Sequence, residues 1–312
     1  MAYAVVLGEA LVDLLEGRCD GEPVYRPMIG GAPLNVAVGV ARLGGAVEFV
    51  GSVGDDVLAA RIRDFLTAAG VGQRGVIRVA APTTLAVTTF AGAEPDFRFY
   101  GDPPSYGLLD PADIDVDLVG GSAVLYCGSI ALLCPLTLAA ARRAWSLAGG
   151  LRVFDPNVRP RLLADAAATE ALREIVAEFA ATADLVKLSA ADGEALYPGA
   201  TAEDVAGRLL ALGAGVVVVT LGPRGALVAA GSDVVPVPAP KVRAVDTTGA
   251  GDAVMAALIA DLLAEGPPAD PIGWRERTRF ALHVAALVCE SPGGATAMPT
   301  RTRVAARFGV TW

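Results

Sequence analysis

Short, near-continuous apolar runs recur along the chain at 3–8 (YAVVLG), 47–54 (VEFVGSVG), 122–128 (SAVLYCG), 151–157 (LRVFDPN), 184–189 (DLVKLS) and 215–220 (GVVVVT). Runs of this kind suit strands covered on both faces, where neither side-chain direction meets water. Between them, helical stretches are expected at 35–44, 56–69, 135–149, 168–182, 202–213, 249–264 and 274–290. The alternation predicts an α/β fold: a doubly wound parallel sheet with helices on both faces, occupying 1–312 as a single domain. Ligands of such sheets bind beyond the carboxyl ends of the strands, so chemistry is expected in the loops that follow strands.

Two regions break the alternation. Residues 12–33 mix charges, glycines and prolines with short extended pieces, and 83–100 (TTLAVTTFAGAEPDFRFY) reads as two strands around a Gly-Ala-Glu-Pro turn. Neither is followed by a crossover helix. Together, about 12–33 and 83–104 are expected to form a small β-sheet lid on the core, whose exposed face offers a dimerisation surface. Period-two alternation sets Arg98 and Tyr100 on one lid face and Phe97 and Phe99 on the other, leaving open which face meets a ligand.

Composition narrows the function. The chain is 54% apolar and 19% charged, far from a disordered sequence. Its net charge is −9, with no basic block, which argues against nucleic acid as a partner. No apolar run is long enough to cross a bilayer, and the N-terminus reads as a strand rather than a signal peptide, so a cytoplasmic protein is expected. Cys19, Cys127, Cys134 and Cys289 form no CxxC pair, and His283 is the only histidine, which disfavours a zinc site, a disulfide framework and a Ser-His-Asp triad. His283 lies in an Ala/Val/Leu-rich helical run, either as a packed helix residue or beside a bound base.

The sharpest motif is Asp246-Thr247-Thr248-Gly249-Ala250-Gly251-Asp252, leading into an apolar helix. Small residues let the backbone approach a ligand, and a helix start supplies free N–H groups and the positive end of a dipole. An anion fits there, with the Asp252 carboxylate in the first turn beside it. Phosphoryl transfer needs that combination: stabilised charge, in-line positioning and a base for a hydroxyl proton. A second motif, Gly30-Gly31-Ala32-Pro33-Leu34-Asn35, lies about 200 residues earlier. Its glycines allow close approach to a polyol, and Asn35 at a helix start can act as an N-cap or as a donor and acceptor for a ligand.

Both motifs, in this order, resemble the signatures of the ribokinase-like (PfkB-type) carbohydrate kinases, and the resemblance covers essentially the whole chain. It implies the ribokinase-like fold, ATP and Mg2+ as cofactors, a small sugar as acceptor and a homodimer formed through the lid. By this resemblance Asp252 is the catalytic base, and the amides of Gly249, Ala250 and Gly251 form the anion hole. Val254 stands where the signature usually has Phe. GEALVDLL (8–15) is similar to the family's opening strand and loop, which makes Asp13 a sugar ligand with Gly30, Gly31 and Asn35. Asp155-Pro156-Asn157-Val158-Arg159 resembles a D-x-N-x-R segment whose arginine, here Arg159, steadies substrate or phosphate. Ser189 and Asp192 occupy the places of an Asn-x-x-Glu segment that acts on magnesium and phosphate, with Glu194 as an alternative to Asp192. Thr220-Leu221-Gly222-Pro223-Arg224-Gly225 resembles the family's nucleotide turn, which implicates Thr220, Gly222 and Gly225 in ATP binding. CESPGGATAMPT (289–300) resembles the loop beside the adenine and a potassium site, to which Asp246 and Thr248 would contribute.

Within the family, GEALVDLL and the Gly30–Gly31 segment look most like fructokinases, followed by 2-keto-3-deoxygluconate kinases. Phe97-Arg98-Phe99-Tyr100 matches an aromatic lid strand, and Arg98 and Tyr100 are its candidate substrate contacts. Gly101 stands where an arginine is common, which favours a neutral sugar over a keto acid. A dehydrogenase would carry G-x-G-x-x-G after its first strand, and a Walker-type NTPase needs a Gly-Lys pair; neither is present. A non-catalytic sugar sensor on the same fold remains the alternative of another class.

Overall fold

The computed structural model describes residues 2–91 and 94–310. Its strands are β1 (Tyr3–Leu7), β2 (Leu11–Cys19), β3 (Glu22–Gly30), β4 (Ala46–Val53), β5 (Gly72–Arg78), β6 (Leu85–Ala91) and β7 (Glu94–Tyr100). They continue with β8 (Val124–Gly128), β9 (Leu151–Asp155), β10 (Leu185–Ser189), β11 (Val216–Thr220), β12 (Ala226–Ala230) and β13 (Asp233–Val237). The helices are α1 (Ala32–Arg42), α2 (Val57–Ala68), α3 (Val116–Gly120), α4 (Pro135–Leu147), α5 (Ala166–Ala180) and α6 (Ala190–Leu196). They end with α7 (Ala202–Leu212), α8 (Ala250–Glu265), α9 (Pro271–Cys289), α10 (Gly294–Ala297) and α11 (Arg301–Phe308).

Nine strands form one sheet in the order β13-β12-β11-β10-β9-β8-β1-β4-β5, parallel except where β12 runs against both of its neighbours. Alternation along each strand divides the core in two. Val6, Phe49, Tyr126, Val153 and Leu185 face α1, α2, α8 and α9, whereas Val5, Leu125, Phe154, Val186 and Val217 face α4, α5 and α7. On the second side the rings of Trp145, Phe154 and Phe179 pack together, with Phe179 centred 4.9 Å from Trp145 and 5.2 Å from Phe154. On the first side α8 is apolar around its circumference and buried from Asp252 to Leu262, because α1, α9 and the sheet all pack against it. The closest seam is α1 against α8: a Cβ on Gly39 would stand 2.5 Å from that of Ala256.

A separate four-stranded sheet has the order β3-β2-β6-β7. The β2–β3 hairpin turns through Asp20 and Gly21, both at positive φ (52° and 87°), the geometry that an Asp-Gly turn supplies between strands. Cys19 beside this tip is exposed; Cys127 is buried, and Cys134 and Cys289 are half-buried. Gly92 and Ala93, the first half of the expected Gly-Ala-Glu-Pro turn, lie outside the described residues, as does the Phe97 side chain.

Helix α1 begins at Ala32, earlier than the expected 35, with Gly31 as its N-cap at φ 112° and Pro33 in the first turn, where a missing N–H costs nothing. Strands β5, β12 and β13 had no counterpart in the apolar pattern. The edge strands β5 and β13 carry polar residues, and β12 (ALVAA) is too short and alanine-rich to signal a strand.

Candidate active site

The two long-range motifs meet. Asp252 lies in the first turn of α8, which is capped by Gly249 in the left-handed conformation (φ 79°). A Cβ on Gly249 would stand 2.8 Å from the Cα of Gly294, so the 289–294 loop approaches closely over the anion turn. The N–H groups of the first helical turn have no preceding turn to bond and remain available to a ligand. The Ala250 N–H is the exception among the expected three: it donates to the Thr247 carbonyl at 3.2 Å.

Asn35 crosses 217 residues of sequence to reach Asp252: its Nδ2 donates to Asp252 Oδ2 at 2.8 Å. It is therefore not an N-cap, and its Oδ1 is buried without a protein partner, an acceptor still open to a ligand hydroxyl. Asp13 projects from β2 against Gly30, where any side chain would overlap its carboxylate. Burial raises Asp13 to about 6, with the Arg159 guanidinium pulling down and Asp252 pushing up. Burial also raises Asp252, against the opposing pull of Lys187, the Asn35 amide and Arg159. Asp13, Asn35, Asp252 and Arg159 thus share one electrostatic environment at the carboxyl edge of the sheet.

Arg159 is held by its own loop. Its Nη1 donates to Asn157 Oδ1 at 2.5 Å, and Asn157 sits at φ 39°. Asp192 ties that loop to α6: Oδ1 accepts from the Val158 N–H at 2.8 Å, and Oδ2 accepts from the N–H and hydroxyl of Ser189, both at 2.7 Å. Ser189 and Thr220 are register partners at the carboxyl ends of β10 and β11. The turn after Thr220 has Gly222 and Gly225 at φ 59° and 102°. Asp246 joins two loops, accepting from the Thr248 N–H and the Gly293 N–H, both at 2.9 Å.

Three expectations need correction. First, Asp13, Ala86 and Phe99 are register partners across β2, β6 and β7, so Phe99 shares the face of Asp13, whereas Arg98 and Tyr100 project from the opposite face. Phe99 packs beside Leu11, Ala86 and Ile130 on that site-facing side. Second, of the two readings of His283, the structure shows the packed helix residue. It packs edge-on against Phe308 of α11 (4.7 Å between centroids) and bonds the Arg279 carbonyl of its own helix. Third, Glu194 is exposed and accepts from the Gly199 N–H at 3.1 Å, which leaves Asp192 as the carboxylate at the site.

Two buried charges at the site escaped the sequence reading. Glu9 accepts from the Ala32 N–H (3.1 Å) and the Ala131 N–H (3.3 Å), joining the start of α1 to the turn after β8; burial raises it to about 7. Lys187 pairs with Asp155 at 2.6 Å, both almost wholly buried. A lysine inside LVKLS was the visible signal for the second; for Glu9 only its place after the first strand pointed to it.

A divalent cation finds no cage of protein ligands: among the described residues no three His, Cys, Asp or Glu side chains are grouped to hold one. That suits Mg2+, which keeps waters and rides on substrate phosphates with one or two carboxylates. Asp192 is the carboxylate that would hold its waters.

Residues 1–301 match the family described as pfkB family carbohydrate kinase. The chain is 37% identical over 303 residues to a fructokinase of Klebsiella pneumoniae, covering 94% of this chain and 95% of that protein. A fructokinase of Xylella fastidiosa solved with bound ATP superposes with a TM-score of 0.88 at 30% identity, over 97% of each chain. A fructokinase of Vibrio cholerae O395, in its fructose, ADP and calcium ion bound form, gives 0.86 at 30% identity over 98% of each. With residues 1–301 matching the family and the whole architecture superposing on these kinases, the chain belongs to the pfkB family of carbohydrate kinases and is a phosphotransferase with a sugar acceptor.

Proposed function

We propose that the chain is an ATP-dependent fructokinase acting as a single kinase unit, the small sheet serving as a lid over the sugar. The observation that carries the reading is the Asn35–Asp252 hydrogen bond: it fixes the base beside an open acceptor atom at the mouth of the anion turn. Fructose would lie between Asp13, Gly30, Gly31 and Asn35, with Phe99 of the lid against its carbon face. Asp252 takes the hydroxyl proton as the sugar oxygen bonds to the γ-phosphorus and the bond to the bridging oxygen of ADP breaks. First-turn amides of α8 receive the developing charge. Bound Mg2+ would neutralise the phosphates. Closure of the lid would exclude water and so limit wasteful ATP hydrolysis.

The fructokinases among its relatives support the choice of sugar, as does Gly101 in place of a carboxylate-gripping arginine. Coupled ADP release with fructose, 2-keto-3-deoxygluconate, ribose, adenosine and inosine tests it. Selective turnover of fructose is expected. Preference for the keto acid would move the substrate assignment and leave the phosphoryl chemistry standing, while binding without ADP release from any sugar would favour a sensor.

Three further parts of the proposal have separate supports. The lid face opposite Asp13 exposes Tyr25 and Tyr100 beside the core, a surface for a second copy of this chain, which light scattering would reveal as a dimer. Asp246, bound to both loops that would surround a monovalent cation, supports a K+ requirement, expected as faster turnover in KCl than in tetramethylammonium chloride. The cytoplasm, where ATP is abundant, is the proposed compartment; no described helix is long and apolar enough to cross a membrane.

A further inference from the structure

A buried lysine is an expensive residue, and Lys187 sits where its charge has more than one use. Desolvating an ammonium costs several kcal/mol unless partners offset it. Strand alternation on β10 points Lys187 to the same side as Leu185, toward α8, and it is 3% exposed. Asp155 Oδ2 accepts one of its three protons at 2.6 Å. The same nitrogen lies 3.0 Å from the position a Cβ on Gly251 would occupy, so the ammonium presses against the anion turn itself. Burial alone would lower the lysine, yet Asp155, Asp192 and Asp252 together raise it, so it carries its charge at every physiological pH.

We propose that Lys187 is a further catalytic residue: its ammonium, anchored by Asp155 and admitted by the missing side chain of Gly251, grips the transferring phosphoryl group. The amides of the turn offer partial charges; Lys187 adds a full one that is already in place before reaction. During transfer no bond to lysine forms or breaks. The sugar oxygen bonds to phosphorus, the bridging oxygen leaves with ADP, the proton passes to Asp252, and Lys187 hydrogen-bonds an equatorial phosphoryl oxygen throughout. Its positive charge also holds down the raised Asp252 carboxyl, which keeps the base ionised next to an incoming anion.

The inference rests on the kinase reading, so its test includes a measurement that requires no sugar. Affinities for Mg-ATP and for Mg-ADP are compared by calorimetry in the wild type and in a Lys187→Met/Asp155→Asn double variant, which avoids stranding a buried carboxylate. Loss of a charge-assisted bond to the γ-phosphoryl predicts roughly 10–100-fold weaker ATP binding with ADP binding within about threefold. With fructose, kcat is expected to fall by about 10²–10³. Gly251→Ala is the second variant, for the case in which the double variant does not fold. It keeps every backbone amide yet displaces the ammonium, and ATP affinity should drop while ADP affinity holds. An unchanged ratio of ATP to ADP affinity in these variants, or an equal loss for both nucleotides, would overturn the proposal and leave Lys187 as the structural partner of Asp155. Absence of fructose turnover in the wild type would instead count against the fructose assignment, with the nucleotide comparison still decisive for Lys187.

Discussion

Asp252 must be ionised to accept a proton, and burial works against that. Its carboxyl is raised, and Asp13 is raised to about 6, so Asp13 loses its charge on a modest drop in pH. The acid limb of kcat/KM is therefore expected near pH 6, well above the ordinary carboxylate range of about 4. A limb near pH 4 would contradict the assignment of Asp13. Asp252→Asn should keep the fold and sugar affinity and lower kcat by about 10²–10⁴, read by steady-state kinetics beside a calorimetric fructose titration. The effect on stability has the opposite sign to the effect on rate. Glu9 (about 7) and Asp13 hold protons in the fold that the unfolded chain releases above about pH 4, so folding is favoured at the acid end and stability declines as pH rises from about 4.5 to 7.5. Thermal melts across that window should fall in Tm; Glu9→Gln should flatten the decline.

At the scale of elements, α1 and α8 bring the two halves of the site together. Gly39 permits their approach, and Asn35 and Asp252 ride on the helices so apposed. Gly39→Ala should push them apart at a cost of about 1–3 kcal/mol, lowering Tm and reducing kcat together. Phe154→Ala, in the ring cluster across the sheet, should cost about 3–5 kcal/mol while leaving KM of the surviving folded enzyme near normal. The apolar runs and the motifs in the loops after them were legible because burial on both faces and close backbone approach each demand particular residues. The facing of the small sheet was not: alternation told Phe99 from Arg98 and Tyr100, but only register with Asp13 reveals which of them shares its face. His283 stayed open between two readings for a related reason, since one position along a helix turns a side chain by about 100°. Lys187 and Glu9 act through distant partners, Gly251 and Ala131, that no local spacing discloses.

Across the whole molecule, the proposed acceptor contacts and the proposed phosphoryl chemistry would come from different stretches of chain. Asp13, Gly30, Gly31 and Phe99 belong to the N-terminal third with the small sheet, while Asp252, Lys187 and the anion turn belong to the C-terminal half. Chelating the divalent cation with EDTA should abolish turnover yet spare fructose binding, because no side-chain cage among the described residues depends on the metal. The β2–β3 hairpin also has a practical use. Its tip carries Cys19, the exposed thiol beside the Asp20-Gly21 turn, while Cys127, Cys134 and Cys289 are buried or half-buried. A maleimide dye should attach there before anywhere else, giving an optical probe on the tip that would travel furthest in the proposed lid closure. Sugar arrival would then become a fluorescence trace, timed without turnover and obtained from the natural sequence.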